Sequence, residues 1–273
     1  MVLEKYKKKR NFSSTPEPAG DPAVAAARAR KASPSEGLFF CVQKHLASHL
    51  HYDFRLEFNG VLLSWAVPKG PSLDPKTRRL AMHVEDHPIE YGTFEGVIPE
   101  GYGAGIVMLW DTGTWTPELE DVSAALKKGD LKFTLDGFKL KGSWVLVRTG
   151  GRWGSKSGSG DARSWLLIKH RDEWAGDVDI TEFAPLSVKS QGDFEDILAA
   201  ERPAVWESHR PAKGGEAGAM LAAIIDRVAT LKAGKTSGDG NDVTAAAAGA
   251  RKAGRLKAKA PAVKKAPARS ARK

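Results

Sequence analysis

Cysteine is almost absent from this sequence, which has Cys41 alone among its 273 residues. A single cysteine excludes a disulfide framework or a cysteine-based metal site within one chain. No apolar run approaches the roughly 20 residues that a membrane-spanning helix needs. The basic N-terminus also lacks the apolar segment of a secretory signal. These absences predict a soluble, cytoplasmic protein that has no membrane partner.

Acidic residues are absent from the C-terminal stretch 251–273, which contains ten lysines or arginines. The net charge of the chain is +9, so the residues before this stretch are close to neutral overall. A basic tail beside a folded domain is typical of nucleic-acid binding, because neutralised phosphates release counterions. The tail therefore predicts association with the nucleoid, and a purely solubilising tail is the alternative interpretation.

Composition divides the chain into four parts. Residues 1–35 have no sustained apolar period and are predicted to form a flexible arm, in which a short tract near Tyr6 and Phe12 could dock. A β-domain is predicted for residues 36–190, where the apolar runs are concentrated. A partly helical extension should follow over 191–231, and 232–273 reads as a disordered tail rich in Lys, Ala and Pro.

The central part consists of short apolar or alternating runs that are separated by turn residues. Asn59-Gly60 and Asp136-Gly137 are turn signals, and the first is a strong hairpin signal. VSAALKKG at 122–129 reads as a helical insert that Gly129 closes. The pattern predicts an all-β barrel or sandwich with eight strands, in LFFCVQKH, HYDFRLEF, VLLSWAVP, RLAMHVED, GIVMLWD, LKFTLDG, KGSWVLVR and SWLLIKH.

Polar side chains that could bind a metal or a phosphate line one face of a predicted strand near residue 50. With a period of two, His51, Asp53, Arg55 and Glu57 share a face, while the alternate residues form an ordinary core face. His45 shares the polar face only if the strand extends that far, and otherwise a loop must bring it in. Two histidines and a carboxylate suit Mn²⁺, Zn²⁺ or Fe²⁺ and leave coordination positions open. By spacing alone, this is a weak signal.

A second strand shows the same alternation over residues 79–87. Arg79, His83, Glu85 and His87 share one parity with Ala81, and the other parity is mostly apolar. This predicts a second wall for the same cleft. Tyr91 and Lys69 lie on nearby turns from which they could reach a phosphate.

Other interpretations of these residues do not involve catalysis. His49 reads as a solvated side chain, and His83 could be a partly buried structural histidine. We expect Glu57 and Glu85 to hold Arg55 and Arg79 in salt bridges rather than to act as bases.

Long segments around these residues resemble a known family, the 3′-phosphoesterase domain of bacterial DNA ligase D. The resemblance covers about residues 3–190 and rests on these segments: LEKYKKKRNFSSTPEPAG, QKHLASHLHYDFRLEFNGVLLSWAVPKGPSLDP, RLAMHVEDHPIEYGTFEGVIPEGYGAGIVMLWDTGTW and SWLLIKHRDEWA. No ligase or polymerase motif follows over 191–273, so the sequence looks like a stand-alone form of the domain.

The resemblance implies a mainly β fold, a small closed β-barrel with short helical inserts between disordered basic tails. It implies a metal site, typically for manganese, at His45, His51 and Asp53. It also implies phosphate-binding or catalytic roles for the remaining motif positions, which are Arg55, Lys69, Arg79, Glu85, His87 and Tyr91.

The implied activity is hydrolysis at DNA 3′ ends of a primer–template duplex. Such a domain removes a 3′-terminal ribonucleoside and then the remaining 3′-phosphate. A separately encoded ligase, polymerase or DNA-end-binding protein is a candidate partner. The alternatives are a non-catalytic module that binds DNA ends and a phosphoesterase that acts on RNA or nucleotides.

Overall fold

The structure is a computed structural model that describes residues 3–13, 15–31, 37–98, 102–149 and 163–200. The predicted basic tail and most of the predicted helical extension lie outside the described residues, and so do residues 150–162. Among the described residues, no helix has both the length and the apolar character needed to cross a membrane.

The described residues form mostly β-structure. The strands are β1 (Leu38–Leu46), β2 (Leu50–Phe58), β3 (Val61–Val67), β4 (Arg79–His83), β5 (Gly96–Ile98), β6 (Gly105–Pro117), β7 (Asp130–Gly137), β8 (Lys141–Arg148) and β9 (Ser164–Lys169). The helices are α1 (Glu4–Lys8), α2 (Pro22–Lys31), α3 (Val122–Lys128), α4 (Ile180–Phe183) and α5 (Phe194–Ala200), with a 3₁₀ helix at Ile89–Thr93.

Eight antiparallel strands close into a barrel in the order β1-β2-β3-β4-β9-β8-β7-β6, because β6 also pairs with β1. The short β5 pairs with the beginning of β6, while β7 pairs with its end. Closure leaves the main ladder without an unpaired edge. The predicted closed β-barrel is confirmed, and each of the eight predicted runs forms a strand.

Local sequence signals explain two of the turns. Asn59 and Gly60 have φ values of 49° and 78°, which is the pair of positive angles that a tight type I′ hairpin turn requires. Helix α3 begins where the Asp121 side chain accepts a hydrogen bond from the Ala124 amide, and it ends at Gly129 in the left-handed region. The predicted hairpin and the predicted helical insert are both confirmed.

The barrel interior holds a core of aromatic and aliphatic side chains. On β2 the interior side chains are Tyr52, Phe54 and Leu56, and they meet buried tryptophans such as Trp65 and Trp110. Burying one such side chain contributes about 1.5–3 kcal/mol or more. Because successive strand residues alternate in direction, the other residues of β2 lie on the outer face of the barrel.

The N-terminal arm differs from the prediction of a flexible segment over 1–35, because its described residues form helices α1 and α2. Tyr6 is fully buried, and its hydroxyl donates a hydrogen bond of 2.6 Å to the Pro18 carbonyl. The expected docking of the tract near Tyr6 is therefore confirmed. The arm covers part of the outer face, since Tyr6 contacts His87 and Tyr91.

Candidate active site

The site begins with the register of β1 and β2 on the outer face of the barrel. His45 on β1 lies opposite His51 on β2, and Gln43 lies opposite Asp53. Directly opposed residues of an antiparallel pair project to the same side, so both strands contribute to one polar surface. His45 therefore reaches the site from β1, a neighbouring strand, and not from an extension of β2 or from a loop, the two routes expected from the sequence.

Three side chains of this surface form a set with metal-binding geometry. His45 Nδ1 lies 3.7 Å from Asp53 Oδ2, and His51 Nε2 lies 3.7 Å from Asp53 Oδ1. The three potential ligand atoms all lie within 4.8 Å of one another. This is the predicted ligand set, brought together by the fold.

The remaining histidine nitrogens are oriented by backbone carbonyls. His45 Nε2 lies 2.9 Å from the Gly103 oxygen, and His51 Nδ1 lies 2.9 Å from the His49 oxygen. A carbonyl only accepts, so these nitrogens carry the protons and donate, which leaves a lone pair on the nitrogens that face Asp53. Histidines that bind metals are commonly fixed in this way, so the residues present fit a divalent transition metal.

The electrostatics of the trio also suit a cation. Burial alone would raise the pKa of Asp53, but the Arg55 guanidinium and the two histidines outweigh it and hold the pKa well below its usual value. Burial lowers the pKa of His51, so its imidazole stays neutral at physiological pH. Metal ligands must be deprotonated, and both groups meet this requirement before any metal binds.

Arg55 is fully enclosed next to the trio and makes three side-chain hydrogen bonds. Its guanidinium donates to Gln43 Oε1 at 2.8 Å, to Ser64 Oγ at 2.7 Å and to Asp53 Oδ2 at 3.0 Å. The guanidinium carbon of Arg55 lies 5.0 Å from the centre of the Tyr91 ring. These contacts hold a permanent positive charge in one orientation beside the candidate metal ligands.

The Gln43 amide connects this network to the 3₁₀ helix. It donates to the carbonyl oxygens of Tyr91 and Phe94, both at 2.9 Å. Burial raises the pKa of the Tyr91 hydroxyl well above its usual value, so this hydroxyl stays protonated and can donate.

His87 completes the surface from a position just before the 3₁₀ helix. Its backbone bridges to Leu62 on β3, and Nδ1 donates to the Glu85 carbonyl at 2.8 Å. Its Nε2 lies 3.3 Å from Arg10 Nη2 and accepts from it, because a guanidinium only donates. Burial, followed by the charges of Arg55 and Arg10, lowers the pKa of His87 well below its usual value.

The N-terminal arm supplies residues that the sequence patterns did not single out. Arg10 donates to Glu17 at 2.8 Å, packs 3.9 Å from the Tyr6 ring centre and pairs with Glu85 at 3.4 Å. Lys9 pairs with the other Glu85 oxygen at 3.0 Å. Arg10 sits inside a run of basic residues, where nothing local distinguishes a buried arginine from solvated lysines.

Residues 43–148 match the protein family described as the DNA Ligase D 3′-phosphoesterase domain. This part of the chain belongs to that family. It is similar to the multifunctional non-homologous end joining protein LigD of Pseudomonas aeruginosa, at 48% identity over 221 residues, which is 79% of this chain and 24% of that protein. It is also similar to the multifunctional non-homologous end joining DNA repair protein LigD of Mycobacterium tuberculosis, at 44% identity over 153 residues, 55% of this chain and 19% of that protein. The chain thus spans about a quarter or less of these curated relatives.

The second wall predicted over residues 79–87 is wrong for its first part, which is β4. Strand β4 ends at His83, whose partner on β3 is the core residue Trp65, and Ala81 lies opposite the buried Trp165. The face of β4 that carries Arg79, Ala81 and His83 therefore points to the interior, whereas the side chain of the apolar Leu80 is 43% exposed. Residues after 83 reach the site because the chain leaves the ladder there.

Individual histidines and acids follow the non-catalytic interpretations in part. The His49 side chain is exposed, and His83 is partly buried against Trp65 at 5.1 Å between ring centres. The expected salt-bridge partners of the acids are wrong. Glu85 holds Lys9 and Arg10, while Glu57 accepts from the Phe39 amide at 3.0 Å.

Two further residues, Lys69 and Arg79, were predicted to bind phosphate. Lys69 is exposed on the turn after β3, and Arg79 lies opposite Leu167 on β9. Within the described part of the chain, neither forms a hydrogen bond or ion pair with His45, His51 or Asp53. Their roles stay predictions.

Proposed function

We propose that this phosphoesterase domain is a metal-dependent enzyme that processes DNA 3′ ends. It would remove a 3′-terminal ribonucleoside from a primer strand at a primer–template end, and then the remaining 3′-phosphate. The observation that carries the proposal is the oriented pair of histidines on Asp53, with the buried Arg55 guanidinium 3.0 Å from the same carboxylate. Membership in the family and the names of the end-joining relatives support the choice of substrate.

His45, His51 and Asp53 would hold the metal. When bound, a divalent cation would polarise a phosphoryl oxygen and neutralise charge that develops on it. Manganese is the ion that the family resemblance implies, and other divalent transition metals suit the same donors.

Arg55 and Arg10 would bind the phosphate beside this trio. Both guanidiniums are held in fixed positions by acidic or polar partners, so they need no reorganisation when charge builds up on phosphate oxygens. The Tyr91 hydroxyl, which stays protonated, would donate to a phosphate oxygen. Glu85 would act by fixing Lys9 and Arg10 rather than by moving a proton.

His87 would supply the proton for the leaving oxygen. In the free domain its pKa is lowered by burial and by two arginines. A bound phosphate would take over the hydrogen bond that Arg10 Nη2 donates to Nε2 and would add negative charge next to both arginines. The pKa of His87 would then rise, and the ring would take up a proton at Nε2. The protonated ring is then a general acid next to the phosphate.

The decisive experiment uses a primer–template whose primer ends in one ribonucleotide, incubated with and without Mn²⁺. We expect Mn²⁺-dependent formation of the 3′-phosphate product and then of the 3′-hydroxyl product. Asp53→Asn and His51→Ala should lose both products and lose Mn²⁺ binding in calorimetry. His49→Ala is the matched control, because this exposed histidine contributes only its carbonyl to the site.

Retained activity in Asp53→Asn would refute the assignment of the site. Binding of the primer end without release of any product would favour a DNA-end-binding module instead. Faster turnover of RNA or mononucleotides than of primer–templates would overturn the proposed substrate. A ligase, polymerase or end-binding protein that collects the processed end is part of the proposal.

A further inference from the structure

Tyr102 is an exposed aromatic side chain at the edge of the site. Its side chain is 50% exposed. The Lys9 ammonium lies 4.2 Å from the centre of its ring, and the Arg10 guanidinium carbon lies 5.7 Å from it. The ring is therefore accompanied by two cations while much of its surface remains open to solvent.

The position of Tyr102 is tied to both halves of the site. The next residue, Gly103, supplies the carbonyl that accepts from His45 at 2.9 Å. Arg10, on the other side, lies 3.3 Å from His87 Nε2. The ring thus lies between the phosphate-binding arginine and the backbone that orients a metal ligand.

The backbone that follows Tyr102 passes close to β1. Gly103 has a φ of +84°, and a Cβ at Gly105 would lie 2.1 Å from the Leu46 carbonyl oxygen. The glycines let this segment approach β1 closely. A ring that is half exposed adds little to the hydrophobic core. Packing therefore does not explain why a tyrosine occupies this position.

We propose that Tyr102 stacks on the base of the 3′-terminal nucleoside, a contact that rests on the function proposed above. Bases inside a duplex have both faces covered by their neighbours, whereas the terminal base has one free face. An exposed aromatic ring flanked by Lys and Arg is the arrangement by which proteins hold single nucleotides. The terminal base on Tyr102 would place the adjoining phosphodiester beside Arg10 and His87.

The test compares Tyr102→Ala and Tyr102→Phe on three primer–templates. The primers end in a normal ribonucleotide, in an abasic ribose, or in a 3′-phosphate from which the terminal nucleoside is already gone. Tyr102→Ala should lower kcat/KM on the normal end by about 5- to 150-fold, which is the range for losing one base–aromatic stack. It should leave the abasic and 3′-phosphate ends unchanged, and Tyr102→Phe should act like the wild type on all three.

A second measurement does not depend on turnover. A primer with 2-aminopurine as its terminal base should lose fluorescence on binding to wild type and to Tyr102→Phe, and much less on binding to Tyr102→Ala. Phe138→Ala, which removes another exposed aromatic from the turn after β7, is the control.

An equal loss on normal and abasic ends would overturn the proposal, because it would mean that Tyr102 supports the fold or the phosphate site. Unchanged kcat/KM and unchanged quenching in Tyr102→Ala would also overturn it. If the wild type releases no product from any primer, the function proposed above fails, and the quenching experiment still decides whether Tyr102 holds the base.

Discussion

Replacement of Arg55 by lysine is the sharpest test of the buried network, because it keeps the charge and removes the geometry. The Arg55 guanidinium donates hydrogen bonds of 2.7–3.0 Å to Gln43, Ser64 and Asp53 at the same time. An ammonium on a flexible stem can keep the ion pair with Asp53 but cannot present a rigid fork to the other two partners. Gln43 Oε1 and Ser64 Oγ then lose a charged donor inside a buried site.

The magnitude follows from those two losses. A hydrogen bond to a charged group contributes about 1.5–3 kcal/mol, so Arg55→Lys should lower the free energy of unfolding by about 3–6 kcal/mol. This is a large part of the about 5–15 kcal/mol that stabilises a typical domain. In catalysis, misplacing a fixed donor to the phosphate should reduce kcat by about 100- to 1,000-fold.

Urea unfolding of the metal-free protein measures the first quantity, and single-turnover product release measures the second. Arg148→Lys is the matched control, since Arg148 makes one hydrogen bond to the Lys127 carbonyl and lies over Trp165, away from the site. It should change stability by less than about 1 kcal/mol, as a surface contact does. If Arg55→Lys behaves like Arg148→Lys, the three hydrogen bonds do not preorganise the site and the reasoning is wrong.

Two further predictions concern protonation and the tail. Because the pKa of His87 is lowered in the folded protein, its contribution to stability is present above about pH 6.5 and is lost as the pH falls through the folded value. An NMR titration of the metal-free protein should show that the His87 ring is neutral at pH 6. Addition of a primer that ends in a 3′-phosphate should raise the pKa of His87. If the ring titrates near pH 6.5 without the primer, the burial argument is wrong. Deletion of residues 232–273 should flatten the dependence of DNA affinity on salt while kcat on saturating primer is retained; an unchanged slope would assign the tail no role in binding.

Alternation of side chains was enough to predict most of the barrel. Eight strands carried a visible apolar run, whereas β5 is a three-residue segment that forms only because the beginning of β6 offers it a partner. The pairing order is not contained in local patterns, since β1 meets β6 across some 60 residues of chain. The resemblance to a known family, rather than periodicity, predicted the closure.

The same alternation succeeded on β2 and failed on β4 for a physical reason. Both faces of β2 are buried, one in the core and one in the polar site. Alternate residues of β2 therefore do lie in two different environments, as the alternation predicted. On β4 the partner strands decide which face is interior. His83 lies opposite Trp65, and Ala81 lies opposite Trp165, so the face of β4 that carries the polar residues points inward. The sequence of a single strand does not reveal which strands pair with it.

The residues of the N-terminal arm that sequence patterns missed share one property, which is that their partners are distant in the chain. Arg10 meets Glu85 and His87 across more than 70 residues, and a rule that compares neighbouring positions cannot detect such a contact. Yet the arm that carries Arg10 and Tyr6 changes the chemistry of the outer face. By covering His87 and Tyr91 it keeps water away from them, and removal of water strengthens each charge interaction beside them. The lowered pKa of His87 therefore depends on a segment whose composition resembles a flexible tail, and the arm belongs to the candidate active site rather than to a flank of the barrel.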